Sequence, residues 1–237
     1  WAAGDRLVQA HGWAGPGAKA LKSAPSLKWA DKKTPTLAAS RRETLSDMVQ
    51  DHCAGADLVV VGGRGAGKSA LARAFCGALG YEPLVVFCHA DLTARDLLQR
   101  RDADASGRTA WRDAPVVRAA VAGGCCVLDG VDRLAPGVLA AALGPLLSDR
   151  ACGLPDGTRL AAPGKFDAVA AYGPDPALRR VHPAFRALLL ATAARGGDDD
   201  EENPPPLEPW LAPEVLALPC HWHVLAELTR EERAKVA

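Results

Sequence analysis

The chain is 237 residues long, and Lys plus Arg equals Asp plus Glu at 28 each. That length holds one sizeable α/β domain with extra segments. The balanced charge gives no electrostatic reason for a nucleic-acid or anionic-membrane partner, and no apolar run approaches the ~20 residues of a membrane span.

Residues 1–39, rich in Ala, Gly, Pro and Lys with isolated Trp1, Trp13 and Trp29, read as a linker or loosely ordered arm. A first helix is expected over 41–53, where Leu45, Met48, Val49 and His52 share a face and Ser40 offers an N-cap. Asp57 to Val61 is a β-branched apolar run, as in a strand buried on both faces. It leads into Gly62-Gly63-Arg64-Gly65-Ala66-Gly67-Lys68-Ser69, a Gly followed by four residues and Gly-Lys-Ser. This is the phosphate-cradling P-loop spacing. Glycines let backbone N–H groups approach phosphate oxygens without a Cβ in the way. Lys68 supplies a point charge for the β- and γ-phosphates, and the Ser69 hydroxyl can ligate Mg²⁺. A helix over 69–80, with Leu71, Ala74, Phe75 and Ala78 on one face and Gly80 as its stop, points its positive dipole end at the phosphates from Ala70 onward.

A second buried strand is expected at Pro83 to Cys88, a short helix at 91–101 and a hairpin or loop around Ser106-Gly107. Residues 115–122 read as a helix by the stripe Val116, Val117, Ala120, Val121. Cys125 to Leu128 is a third apolar strand, ending in Asp129. Val138 to Leu147 is helical, and Arg186 to Ala191 is a fourth strand. Strands alternating with helices predict a parallel, doubly wound α/β sheet. Residues 195–209, with the acidic run 198–202 and Pro204 to Pro206, read as an exposed disordered loop. Cys220, His221 and His223 are expected on a helix face, since no second ligand pair completes a metal site. Seven cysteines in apolar stretches read as buried free thiols of an intracellular, reducing compartment. Cys125 and Cys126 read as small core hydrophobes. The start at Trp1 and the helical pattern at the end suggest a fragment.

The chemistry needs an acid at the end of a neighbouring strand to hold Mg²⁺ through water, and Asp129 fits. The following position usually carries the carboxylate that polarises the attacking water. Here it is Gly130, which leaves Asp132 as a substitute base or as a plain surface acid. Leu128-Asp129-Gly130-Val131-Asp132-Arg133 also resembles the Asp-Gly-x-x-Arg stretch of nucleoside monophosphate kinases, although no matching order of arginines follows the P-loop. A GTPase is disfavoured by the absence of an Asn-Lys-x-Asp stretch.

The order of features resembles the AAA+ superfamily in its midasin, dynein-related and MoxR branch. The carrying residues are Gly62 to Ser69, then Trp111 with Ala114 to Ala120, Gly123-Gly124 and the Asp129 strand. Leu146 to Arg150, Asp156-Gly157-Thr158 and His182 to Arg186 follow in the branch's order. The resemblance covers roughly residues 41–223 and implies a P-loop α/β core at 40–209. It also implies a helical lid beginning at 210–237, bound ATP and Mg²⁺, slow or partner-dependent ATP hydrolysis, and other AAA+ modules or subunits in a ring. It admits a mitochondrial location. Three departures bear on hydrolysis. Gly130 replaces the usual Glu, Ala194 stands where the branch places a water-positioning Asn, with Thr192 the nearby hydroxyl, and Ala217-Leu218-Pro219 stands where an arginine finger is expected. An ATP-holding module that does not hydrolyse is therefore the alternative.

Overall fold

The computed structural model describes residues 2–3, 6–7, 36–103, 107, 109–193, 216–229, 231–232 and 234. A two-residue pair, Ala2–Ala3 (β1) with Arg6–Leu7 (β2), runs antiparallel. Ala39–Cys53 (α1) precedes Asp57–Gly62 (β3), whose six residues are all buried. Lys68–Leu79 (α2) follows the P-loop and ends on Gly80 at φ +69. Next come Leu84–Phe87 (β4), Ala94–Leu98 (α3), and the hairpin of Gln99–Ala103 (β5) with Thr109–Asp113 (β6). Pro115–Ala122 (α4), Cys125–Asp129 (β7), a 3₁₀ turn at Val131–Arg133 and Val138–Asp149 (α5) complete the middle of the chain. Cys152–Gly153 (β8), Arg159–Ala161 (β9), Pro163–Ala170 (α6) and Leu178–Arg180 (β10) form a small side layer. Arg186–Thr192 (β11) and Cys220–Leu225 (β12) return to the main sheet.

That sheet has the order β12-β3-β11-β7-β4, and every pairing is parallel. Alternate residues of each strand face opposite layers. Val59, Val61, Cys126, Leu128, Leu189 and Ala191 pack with α4 and α5, whereas Leu58, Val60, Cys125, Val127, Leu188 and Leu190 pack with α1 and α2. Covering both faces is why the central strands read as unbroken apolar runs. The sheet is therefore the parallel, helix-flanked α/β architecture expected.

Several local expectations are corrected. Ser40 is not the cap of α1. The N-cap is Ala38, and Ser40 lies inside the helix, where its hydroxyl donates to Glu232 Oε1 at 2.8 Å. The strand at β4 is an edge, so it is only partly buried and Phe87 is 63% exposed. The helix expected at 91–101 stops after five residues. Thr93 and Asp96 cap its start reciprocally, and Gln99 turns extended to begin the hairpin. Val121 faces solvent rather than joining the α4 stripe. Cys220, His221 and His223 lie on a strand, not a helix. An isolated six-residue segment shows no period that separates the two, and pairing with β3 decides for the strand. Of the cysteines, Cys53 is exposed and Cys152 half-buried, while the other five are buried as expected. The acidic and Pro-rich stretch at 195–209, Ala194, Trp210 to Glu214 and most of the arm at 1–35 lie outside the described residues.

At the end of the sheet away from the P-loop, the buried Asp57 carboxylate accepts from the Ala187 N–H at 2.7 Å and pairs with Arg150 Nη1 at 2.7 Å. Arg150 closes α5 at φ +51, a conformation where glycine is usual, so the ion pair holds a residue whose backbone alone would not choose that place. Removing the carboxylate strands the guanidinium and leaves the Ala187 N–H without its partner. Asp57→Ala is expected to cost about 3 kcal/mol in urea unfolding, and a loss below about 1 kcal/mol would deny the pair this role.

On the α1 side, His52 is buried edge-on to Phe75 at 5.3 Å and bonded to the Tyr81 hydroxyl at 3.1 Å. Burial, with the Arg186 charge nearby, lowers its pKa from 6.5 to about 4. The unfolded chain therefore takes up the proton first as pH falls. Stability present above about pH 6.5 should drain away through about pH 4, by at most roughly 3 kcal/mol. Unfolding measured across this window should be flatter in His52→Gln, and an unchanged slope would place the acid sensitivity elsewhere.

Candidate functional site

The site is built where the C-terminal ends of β3, β7 and β11 meet, the general location of ligand crevices in parallel α/β sheets. Gly65 and Gly67 adopt φ +82 and +88, and an added Cβ at either would meet nothing within 4 Å. The conformation demands glycine, and the space above the loop is open for an anion. Gly67 caps α2 without any side-chain hydrogen bond, so the leading N–H groups of that helix keep their donor capacity. Lys68 is the first residue of α2, and its Nζ donates to the Gly62 and Gly63 carbonyls at 2.7 and 2.9 Å. An arriving phosphate would compete with these two carbonyls for the ammonium. The Ser69 hydroxyl donates to Asp129 Oδ2 at 3.1 Å, which joins the two oxygen ligands expected for a divalent cation. The cradle, the cation-facing oxygens and the helix terminus together fit a magnesium–nucleotide.

Register explains this convergence. Thr192 of β11 and Leu225 of β12 both pair with Gly62, while Leu190 and Phe87 pair with Asp129. A Cβ on Gly62 would come within 2.9 Å of Leu225 Cβ and 3.2 Å of its carbonyl oxygen. Gly62 is thus demanded by a neighbouring strand as well as by the loop.

Asp132 is drawn into the site, with one carboxylate oxygen committed. Its Oδ1 accepts from the Thr192 N–H at 2.8 Å, tying the 3₁₀ turn to the end of β11. Burial lowers the Lys68 pKa, the Asp132 and Asp129 charges oppose that shift, and Arg133 adds to it. Gly130, at φ +85, is buried, and the space where its side chain would begin is taken by Arg133, with Nε 3.3 Å from a built Cβ. Near the expected finger position, Leu218 packs into the core.

Sequence reasoning missed Arg41. Its side chain, buried to 4% exposure, leaves α1 to donate from Nε to the Ala66 carbonyl at 2.9 Å and from Nη2 to the Ala226 carbonyl. One guanidinium therefore fastens the P-loop to the chain leaving β12. No spacing rule marks it, because its two acceptors are backbone atoms 25 and 185 residues away. His221 and His223 both face Asp51 of α1, at 3.0 and 3.1 Å, and among the described residues no cluster of metal-ligating side chains is present. Among the same residues, no helix is long and apolar enough to cross a membrane.

The family described as AAA domain (dynein-related subfamily) matches residues 57–189. The chain is 34% identical over 204 residues to von Willebrand factor A domain-containing protein 8 of Mus musculus, covering 83% of this chain and 10% of that protein. It is 35% identical over 122 residues to denitrification regulatory protein NirQ of Stutzerimonas stutzeri, covering 51% of this chain and 44% of the relative. Against protein NorQ of Paracoccus denitrificans it is 36% identical over 131 residues, covering 53% and 47%. The chain spans less than half the length of each of these relatives. Among solved structures, a protein described as an ATPase from Cytophaga hutchinsonii superposes with a TM-score of 0.55 at 14% identity, over 84% of this chain and 50% of that one, a likeness of fold.

The close approach at Gly62 yields a stability test. Gly62→Ala should push Leu225 outward, cost about 1–3 kcal/mol, and speed hydrogen exchange across β12 more than across β7. Uniform exchange with unchanged stability would mean that the strand end yields freely.

Proposed function

This chain belongs to the dynein-related subfamily of AAA domains, and on that premise we propose that it is the ATP-binding module of a larger multi-domain ATPase, turning nucleotide over slowly. The observation that carries the reading is the Ser69–Asp129 contact at 3.1 Å beside the Gly65–Gly67 cradle and the α2 terminus. In it, Gly62 to Ala70 would wrap the phosphates, Lys68 would meet the terminal ones, and Ser69 and Asp129 would hold Mg²⁺, Asp129 through water. The metal would polarise the phosphoryl oxygens, and the chain's own residues orient and neutralise them. We place the nucleotide-binding core from Ala39 to Leu225, since β12 is the fifth strand of the sheet, and the helical lid beyond it. Neighbouring AAA+ modules or subunits in a ring would supply the arginine that 217–219 lacks.

A second reading, nucleotide held to stabilise an assembly without hydrolysis, is favoured by one feature. The position after Asp129 has no carboxylate, and Asp132 has one oxygen engaged by Thr192. Without a group to polarise water, the attacking nucleophile is weak.

Two measurements on the full-length protein separate the readings. Mg·ATP titration should saturate, and Lys68→Ala should weaken it by about tenfold or more, the worth of a charge-assisted contact. Single-turnover hydrolysis should then be slow and fall with Lys68→Ala. Binding that is sensitive to the variant, with no turnover at all, selects the non-hydrolysing module. Absence of Mg·ATP binding would defeat both readings.

A further inference from the structure

Gly130 is more than a missing carboxylate. It is buried, it needs a left-handed backbone at φ +85, and the first atom of any side chain there would meet Arg133 at Nε 3.3 Å, Cδ 3.4 Å and Cζ 3.5 Å. A cationic side chain from one 3₁₀ turn downstream therefore lies over the place where a water-activating acid would begin. We propose that Arg133 reads the terminal phosphate of a bound nucleoside triphosphate from within the same chain, so that the site distinguishes triphosphate from diphosphate by charge instead of activating water against it. The proposal rests on the P-loop reading above.

Four observations support it. Asp129 and Gly130 are adjacent, and Asp129 contacts Ser69, so the backbone under Arg133 is one residue from the cation-facing pair. The Asp132 tie to Thr192 anchors the turn that carries Arg133 to the end of β11, beside Gly62. The Arg133 charge lowers the pKa of both Lys68 and Cys88, so it is felt at the P-loop ammonium. Finally, Arg133 is exposed, and among the described residues its guanidinium makes no hydrogen bond or ion pair, so its donors are available to a ligand. A guanidinium offers a planar, bidentate fork that suits phosphate oxygens and stays charged at every accessible pH. A triphosphate brings more negative charge to this end of the loop than a diphosphate does. A positive group beyond Lys68 therefore favours it selectively.

The test is a pair of titrations on the full-length protein, with Mg·ADP and with the Mg complex of a non-hydrolysable triphosphate analogue. Arg133→Gln keeps side-chain bulk over Gly130 without the charge, and Arg133→Ala removes both. Both variants should weaken triphosphate binding about tenfold and diphosphate binding less than about twofold. Arg133→Lys should recover most of the loss. Equal weakening of both nucleotides, no weakening, or a loss confined to Arg133→Ala would each overturn the proposal, the last by showing a packing role. Wild-type protein that binds neither nucleotide in a Lys68-dependent way would instead defeat the P-loop reading itself, so the two failures are distinguishable.

Discussion

Four parts of the chain converge on a residue with no side chain. Gly62 ends β3, pairs with Thr192 on one side and Leu225 on the other, and gives its carbonyl to both the Lys68 ammonium and the Ala193 N–H. Its missing Cβ is what lets β12 close to within contact distance. The loop that would hold phosphate is therefore laid on a point where three strands are already in register. Its geometry is inherited from the sheet, and the sheet is held by apolar burial on both faces, the dominant favourable contribution to folding.

Around that point lie a loop with the glycines, ammonium, hydroxyl and acid of a P-loop motif and a turn without the carboxylate expected after Asp129. The cradle has its glycines at positive φ, its ammonium, its hydroxyl and its acid, each placed by a strand end or a helix start. The region that would act on water has Gly130 under an arginine, and Asp132 serving as a tether. The two alterations fit together physically. A left-handed glycine permits Arg133 to lie close, and the tether fixes the turn from which Arg133 projects. Orienting the attacking water draws on groups beyond the phosphate cradle in P-loop sites, so turnover can be weakened while binding is retained.

The supports lie far from the chemistry in sequence. Arg41 joins the P-loop to the exit of β12, and the Ser40–Glu232 hydrogen bond joins the start of α1 to the segment beyond it. Asp57 and Arg150 do comparable work at the opposite end of β3. Desolvated groups such as Arg41 and Asp57 are tolerated because each finds backbone or ionic partners. Arg41 and Ser40 thus tie the P-loop, α1 and the chain after β12 to one another by hydrogen bonds.

The P-loop spacing, the apolar strands, the acid that ends β7 and the family order were legible in the sequence, because each depends on neighbours within a few residues or on a short fixed motif. Strand β12 was not, since Cys220 to Leu225 shows no decisive period and becomes a strand only by pairing with β3. The hairpin of β8 and β9 around Asp156-Gly157-Thr158 was implied by the family resemblance, whereas strand β10 and the shortening of α3 were missed, as short segments take their state from what they pack against. Asp132 and Arg133 were visible as letters, but their roles required knowing that Thr192 and Gly130 stand beside them. The sequence by itself determined a phosphate-binding α/β core and an atypical residue after Asp129. Only the tertiary structure decided that Arg133 lies over Gly130 and that Arg41 braces the loop, because the first follows from the turn that Asp132 ties to β11 and the second from backbone acceptors 25 and 185 residues away.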